Sequence, residues 1–210
     1  MKSEEKVPNR IRYLEPYITG KKLLHLGCVR HDWQESLSSD WIHAFLEKYA
    51  DTTGIDILES DIEELKKRGF NVQQGNAEEF DLNTTFDVIF AGELVEHLEN
   101  LKGFCDSCKR HMSTNSLLII TTPNSFGIRY WIRYAALRKK TRFNTEHKCW
   151  FDSETISTLL EHNGFEVVRV DYLPLDSPTM RTPWRQMVGA LERAFPQFAP
   201  VLLVIAQLKI

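Results

Sequence analysis

Short apolar runs alternate along the chain with stretches whose apolar residues recur every three or four positions, the pattern of strands and amphipathic helices taking turns. Residues 11–18 read as a leading helix ended by Gly20, and 22–26 as a first strand, apolar and unbroken as a central parallel strand should be. Between 34 and 50 the positions Trp41, Ile42, Phe45, Leu46 and Tyr49 fall on one helical face, so a helix returns the chain to the sheet. Strands at 53–57, 71–74, 86–91 and 116–122 follow, interrupted by helices at 61–68, closed by Gly69, and at 101–111; Pro123 stops the fifth strand. Beyond a less regular stretch, the pattern predicts a helix at 153–162 capped by Asp152 or Ser153 and ended at Asn163 and Gly164. A strand at 165–172, a helix at about 184–195 and a last strand at 201–210 complete it. The fold class is α/β: a seven-stranded mixed sheet, mostly parallel with an antiparallel last strand, and helices on both faces.

At 210 residues the chain has the length of one core, so a single domain over residues 1–210 is expected. With 42% hydrophobic and 26% charged residues the composition is globular, which excludes disordered and low-complexity classes. The longest wholly apolar run, 201–206, is far short of the ~20 residues of a membrane span. The charged start is followed by no apolar leader core, so no export address is visible and a cytoplasmic location is expected. A balance of 26 basic against 29 acidic residues, net charge −3, argues against nucleic acid as the partner of the whole surface. The four cysteines are too few and too irregular for a disulfide framework. Cys105 and Cys108 form a C-x-x-C followed by His111, but no second ligand pair accompanies them. Cysteines one helical turn apart are therefore the better reading than a redox or zinc site.

Candidate chemistry gathers at the strand ends. The first strand runs into Gly27, where the chain must turn sharply, and Asp56 stands 29 residues further on, at the end of the second strand, placed to accept both hydroxyls of a ribose. Taken alone, the two also fit an ordinary turn and a helix cap ahead of Asp61. Further strand ends sharpen the picture: residues 74–78 after the third, 86–98 through the fourth with Glu93, Glu96 and His97 in an E-x-x-E-H pattern, and the T-P-N of Thr122, Pro123 and Asn124 at the fifth. With Glu146 and His147, Phe151 four residues on, and 163–168, this ordered set resembles the class I S-adenosylmethionine-dependent methyltransferases, in particular the group with E-x-x-E-H after the fourth strand and T-P-N after the fifth. The resemblance spans about residues 20–172 and implies a Rossmann-like fold, S-adenosyl-L-methionine as cofactor, and methyl transfer. Carried over by position, it implies that Gly27 and Cys28 pass beneath the methionine portion, Asp56 binds the ribose and Ile57 packs on adenine. Asn76 and Ala77 would border the adenine edge, and Ala91, Gly92 and Glu93 would lie near the sulfonium. The sequence departs from the family in carrying His25 in place of an acidic residue and Val29 and His31 in place of glycines. Arg30 is expected to compensate by pairing with the cofactor carboxylate, the alternative being a solvated loop arginine. The same departure keeps a noncatalytic methyltransferase-like binding domain in view.

Methyl transfer from a sulfonium needs an aligned acceptor and, for a hydroxyl, a base. His147, where the family places acceptor contacts, is the expected catalytic base, with Glu93 as its companion in the site; the structural alternative for His147 is an anchor for the preceding segment. Glu93, Glu96 and His97, spaced i, i+3 and i+4, share a face if helical, a spacing that also fits metal ligands. The pattern alone is too common in the family to identify a metal, so none is expected, and metal-assisted methylation of RNA or a small molecule is the alternative. Residues 125–147 carry Phe126, Tyr130, Trp131, Tyr134 and Phe143 among Arg129, Arg133, Arg138, Lys139, Lys140 and Arg142, with only Glu146 opposing them, and read as an inserted basic and aromatic arm. Such an arm suits a phosphorylated acceptor or peripheral contact with a membrane surface, and its plain reading is a solvated helix. The function expected is O-methylation of a glycan or small-metabolite acceptor. A nicotinamide oxidoreductase is disfavoured, because its G-x-G-x-x-G is absent.

Overall fold

The computed structural model describes residues 9–137, 145–174 and 183–209. Strands β1 (Lys22–Leu26), β2 (Asp51–Asp56), β3 (Val72–Gln74), β4 (Phe86–Gly92), β5 (Met112–Pro123), β6 (Phe165–Leu173) and β7 (Val201–Leu208) form one sheet in the order β3-β2-β1-β4-β5-β7-β6. Parallel pairing of β1 with both β2 and β4 means that the chain leaves β1 toward one edge and returns on its other side. The carboxyl ends on either side of that reversal are where open α/β sheets bind ligands. The antiparallel last strand is found as expected; it enters between β5 and β6 and pairs with both.

Side chains alternate across the sheet and so divide into two layers. Leu24, Leu26, Ile89, Leu118 and Ile120 meet Phe104, Cys105 and Cys108 of α5 (Leu101–Arg110) and Ile156 and Leu160 of α7 (Ser153–His162). Leu23, Val88, Phe90 and Ile119 meet Ile11, Leu14 and Ile18 of α1 (Asn9–Ile18) and Phe45 and Leu46 of α3 (Ile42–Tyr49). Ile62 and Leu65 of α4 (Glu59–Lys67) pack with Trp41 and Val72 over the β2–β3 side. Cys105 and Cys108 are fully buried in the apolar stripe of α5, and burial pushes the Cys105 thiol up to about 11, so both are inert core side chains. Local chemistry sets the helix starts: the Asn100 side chain accepts from Gly103 N at the head of α5, and Asp152 and Thr155 form a reciprocal capping box on α7.

The expected single helix over 34–50 is instead two, α2 (Trp33–Ser36) and α3. Between them Ser38 and Asp40 turn their side chains onto the Arg30 guanidinium, and polar side chains of this kind compete with the helical backbone. Strand β2 also starts and ends earlier than predicted, which leaves Ile57 outside it and 64% exposed. In the arm, α6 (Ile128–Leu137) is held to α8 (Pro183–Ala194) by a bidentate pair, Arg129 Nε and Nη2 donating to the buried Glu192 carboxylate at 2.5 and 2.9 Å. Arg138, Lys139, Lys140, Arg142 and Phe143 lie outside the described residues. No helix among the described residues is long and apolar enough to cross a membrane.

Candidate active site

At the switch point a cleft of about 390 Å³ opens over the ends of β1 and β2, lined by Gly27, Asp56, Ile57, Asn76 and Ala77 among others. Gly27 takes φ +70, and a Cβ there would come within 3.1 Å of Leu94, so both conformation and space call for glycine. Among residues 27–31 it alone has a positive φ, so Val29 and His31 sit in ordinary backbone and the missing glycines cost no strain. The Asp56 carboxylate accepts from Val29 N at 2.9 Å and Leu58 N at 3.2 Å. Burial pushes its carboxyl above the usual range against the pull of these bonds. It does not cap α4, whose first turn has no side-chain cap.

One expected contact goes elsewhere. Arg30 is turned away from the cleft and donates to Ser38 Oγ at 3.1 Å and Asp40 Oδ1 at 2.8 Å, so it belongs to the α2–α3 turn. Cys28 points its thiol into the core beside Trp41 and Ile62, and only its backbone belongs to the loop, with Cys28 O accepting from Trp41 Nε1 at 2.8 Å. Ala91 is fully buried beneath the site, and Gly92 follows it at the end of β4, where a Cβ would press into the Phe90 ring at 2.7 Å.

Beside the cleft a cluster of polar side chains is built at the ends of β4 and β5. Glu93 is a non-glycine residue at φ 53, locked there by donation from its N–H to Thr121 O at 2.7 Å. Such left-handed backbone in a bulky residue is held only where the surroundings enforce it. The expected helical face of Glu93, Glu96 and His97 is therefore not formed; a 3-10 turn (Val95–His97) follows the reversal. Glu93 Oε2 faces Arg10 of α1 at 3.9 Å, and its buried Oε1 has no hydrogen-bond partner. Glu96, 1% exposed, accepts from Thr122 Oγ1 at 3.0 Å through Oε2, while its Oε1 is also unpartnered. Burial, and then the nearby Glu93 charge, push its carboxyl up to about 8.

His97 joins the cleft to this cluster: it lines the cleft, and its ring meets His147 edge-on at 4.8 Å between centroids. Lys148 and Cys149 donate their N–H groups to Glu96 O at 2.8 and 3.3 Å, which staples this segment to the 3-10 turn. His147 in turn packs on Trp150 at 5.5 Å, and Trp150 on Tyr130 at 5.4 Å. Burial and the His97 ring hold the His147 imidazole below its usual range, and its Nδ1 is buried without a partner. Burial, with the Glu93 and Glu96 charges behind it, pushes the Tyr130 hydroxyl up to about 12. Glu96, His97 and His147 each offer one ligand atom, all within 4.8 Å of one another, so the donor set also fits a divalent ion. Glu96 was visible in the E-x-x-E-H pattern, whereas Arg10 and Lys148 had no sequence signal beyond charge.

Asn124 of the T-P-N pattern serves the scaffold: its Nδ2 donates to Gln197 O at 2.9 Å and Ala199 O at 2.7 Å, tying the end of β5 to the start of β7.

A SAM-dependent methyltransferase from Archaeoglobus fulgidus superposes with a TM-score of 0.65 at 22% identity, covering 94% of this chain and 91% of that one, a likeness of fold. A ubiquinone biosynthesis O-methyltransferase of Rickettsia conorii is 36% identical over 78 residues, 34% of this chain and 27% of the relative. The human mitochondrial enzyme of the same name is 32% identical over 92 residues, 41% of this chain and 24% of the relative. The chain thus spans about a quarter of the length of these curated relatives. Residues 3–170, which contain the cleft and the polar cluster beside it, match the family described as a methyltransferase domain, and the chain belongs to that family.

Proposed function

We propose that the protein is an S-adenosylmethionine-dependent O-methyltransferase acting on a hydroxyl of a small molecule. The observation that carries this reading is His97, which lines the cleft that Asp56 also borders and sets its ring edge-on against His147, so that the cleft adjoins a cluster of polar side chains holding an imidazole neutral at pH 7. When bound, the cofactor supplies a methyl group on a sulfonium that departs as a neutral thioether as the acceptor oxygen takes the methyl. Asp56 and the Gly27 turn bind and orient the nucleoside part, and exposed Ile57 covers the adenine. His147, neutral near pH 7, accepts the hydroxyl proton. Glu96 is largely protonated at that pH and donates a hydrogen bond rather than adding charge, while Glu93 holds its carboxylate toward the same space. The rings of His147, Trp150 and Tyr130 suit a flat acceptor, in keeping with relatives named for ubiquinone biosynthesis. A phosphorylated or glycan acceptor gains no support from Arg129, which is committed to Glu192.

A second reading has one observation in its favour, the convergence of Glu96, His97 and His147. A divalent ion held there would lower the pKa of the acceptor hydroxyl. Calorimetric titration with S-adenosylmethionine, followed by label transfer to a panel of phenolic and sugar hydroxyls with and without chelator, separates the readings. No binding would refute both, and turnover that chelator abolishes and divalent ion restores would replace the base with the metal.

A further inference from the structure

Beneath the loop that turns at Gly27, two imidazoles are buried in direct contact. His25 of β1 and His43 of α3 bring their Nδ1 atoms to 3.1 Å, so one ring donates and the other accepts. The rings stack at 5.3 Å, with Phe90 of β4 5.3 Å from His25 and Trp41 5.1 Å from His43. His43 Nε2 faces Glu47 Oε1 at 3.4 Å. With the His43 proton on Nε2, toward the carboxylate, its Nδ1 accepts from His25 Nδ1–H, while Nε2 itself is buried facing Glu47 without completing a hydrogen bond. Glu47 of α3 and the Cys28 thiol at the end of β1 are the titratable groups around the pair. Phe90 of β4, Gly54 of β2 and the Ile11, Leu14 and Ile18 face of α1 carry no charge. A Cβ on Gly54 would lie 2.6 Å from His43 Cε1 and 2.8 Å from Cys28 Sγ, so imidazole and thiol together fill the space that only glycine leaves over β2.

The contact is wired to the cleft. Trp41, just ahead of α3, donates Nε1–H to Cys28 O at 2.8 Å, and the next residue, Val29, donates its N–H to Asp56 Oδ2 at 2.9 Å. We propose that the His25–His43 pair is the positioning element of the cofactor loop: with His25 neutral it clamps α3 to β1 and, through Trp41 and Cys28, presents Val29 to Asp56, and acid that protonates His25 releases the loop. A loop lacking glycines at 29 and 31 is thus held from below by a titratable contact. Burial and the neighbouring ring hold His25 far below the usual imidazole range, so the closed contact resists the proton and acid favours the open one. The consequence for binding rests on the cofactor reading of the cleft; the response of the loop does not.

Two measurements on the full chain test this. Hydrogen–deuterium exchange of the free protein, corrected for intrinsic pH dependence, reads the loop: from about pH 7.5 to about pH 5 the peptide over residues 26–33 should lose protection while the sheet keeps its own. Titration with S-adenosylhomocysteine reads the site: affinity should fall by up to about tenfold per pH unit for each proton taken up. Both acid responses should be blunted in His25→Gln, or in His25→Asn if the first does not fold. Asp56 titrates in wild type and variants alike, so the difference isolates the pair. Trp41→Phe keeps both imidazoles but cuts the link to Cys28, and should loosen the loop at both pH values. A wild-type loop indifferent to acid, or an unchanged response in a folded histidine variant, overturns the proposal. Absence of S-adenosylhomocysteine binding at every pH overturns the cofactor reading instead, and the exchange data still decide the clamp.

Discussion

Glu96 carries its cost in the fold, and the substitution Glu96→Gln makes that cost measurable. The carboxyl is buried, one oxygen accepts from Thr122 Oγ1, the other has no partner, and Glu93 stands close by. With a folded value of about 8 against 4.5 in the unfolded chain, the folded state keeps a proton that the unfolded state loses in the window between them. Stability therefore falls as pH rises through that window, by about 1.4 kcal/mol per pH unit for one proton, or about 3 kcal/mol by pH 7. Glutamine has the same size, still accepts from Thr122, and never ionises. Relaxation of the pocket reduces the gain, so Glu96→Gln should be more stable than wild type by about 1–3 kcal/mol near pH 8, roughly 2–10 °C in melting temperature, and no different near pH 4.5. Urea unfolding across that range, with chelator present, is the assay. A variant no more stable than wild type at pH 8 would show that Glu96 is a stabilised carboxylate and would remove its role as a neutral donor.

Asp56→Asn offers one oxygen where Val29 and Leu58 need two acceptors, so an amide donor is left facing another and cofactor affinity should fall about tenfold or more by calorimetry. His147→Gln should lower kcat by about 10²–10⁴ with cofactor binding unchanged. Because the imidazole is held below its usual range, wild-type kcat/KM should persist below about pH 6.5 and fall only in stronger acid; an acid limb at or above that value in the pH–rate profile would exclude it as the base. Arg129→Ala leaves the buried Glu192 carboxylate uncompensated and should cost about 3–5 kcal/mol in urea unfolding, whereas an exposed pair would cost under 1.

The fold was legible where one periodicity ruled. The strand runs, the Asn163–Gly164 stop and the Asp152 start needed no tertiary context, because burial on two faces and capping are local demands. Failures fell where side chains compete with backbone: Ser38 and Asp40 bind Arg30, and in doing so break a helix whose apolar spacing ran on without pause. That one turn also removed Arg30 from the cleft, so an error in an element boundary and an error in a site assignment share a cause. The residues of the cleft itself were readable because Gly27, Asp56 and Asn76 sit at strand ends, where topology alone decides what they face.

The polar cluster was less legible because its geometry depends on a backbone state that spacing does not encode. An i, i+3, i+4 rule presumes a helix, and Glu93 at φ 53 reverses the chain before any helix begins. The reversal sends Glu96 back onto Thr122 of β5 and turns His97 toward His147, a residue fifty positions away, while leaving two carboxylate oxygens buried and unpartnered. Each such acceptor left without a bond in the interior costs about 1–3 kcal/mol. Strain at Glu93 and unmet acceptors at Glu93 and Glu96 occur together, at the edge of the cleft and within reach of a neutral imidazole. That coincidence supports the proposed acceptor site beyond what the motif does, because a stability optimum would have removed both costs, and a site for an acceptor, or for an ion that activates one, would give each a use.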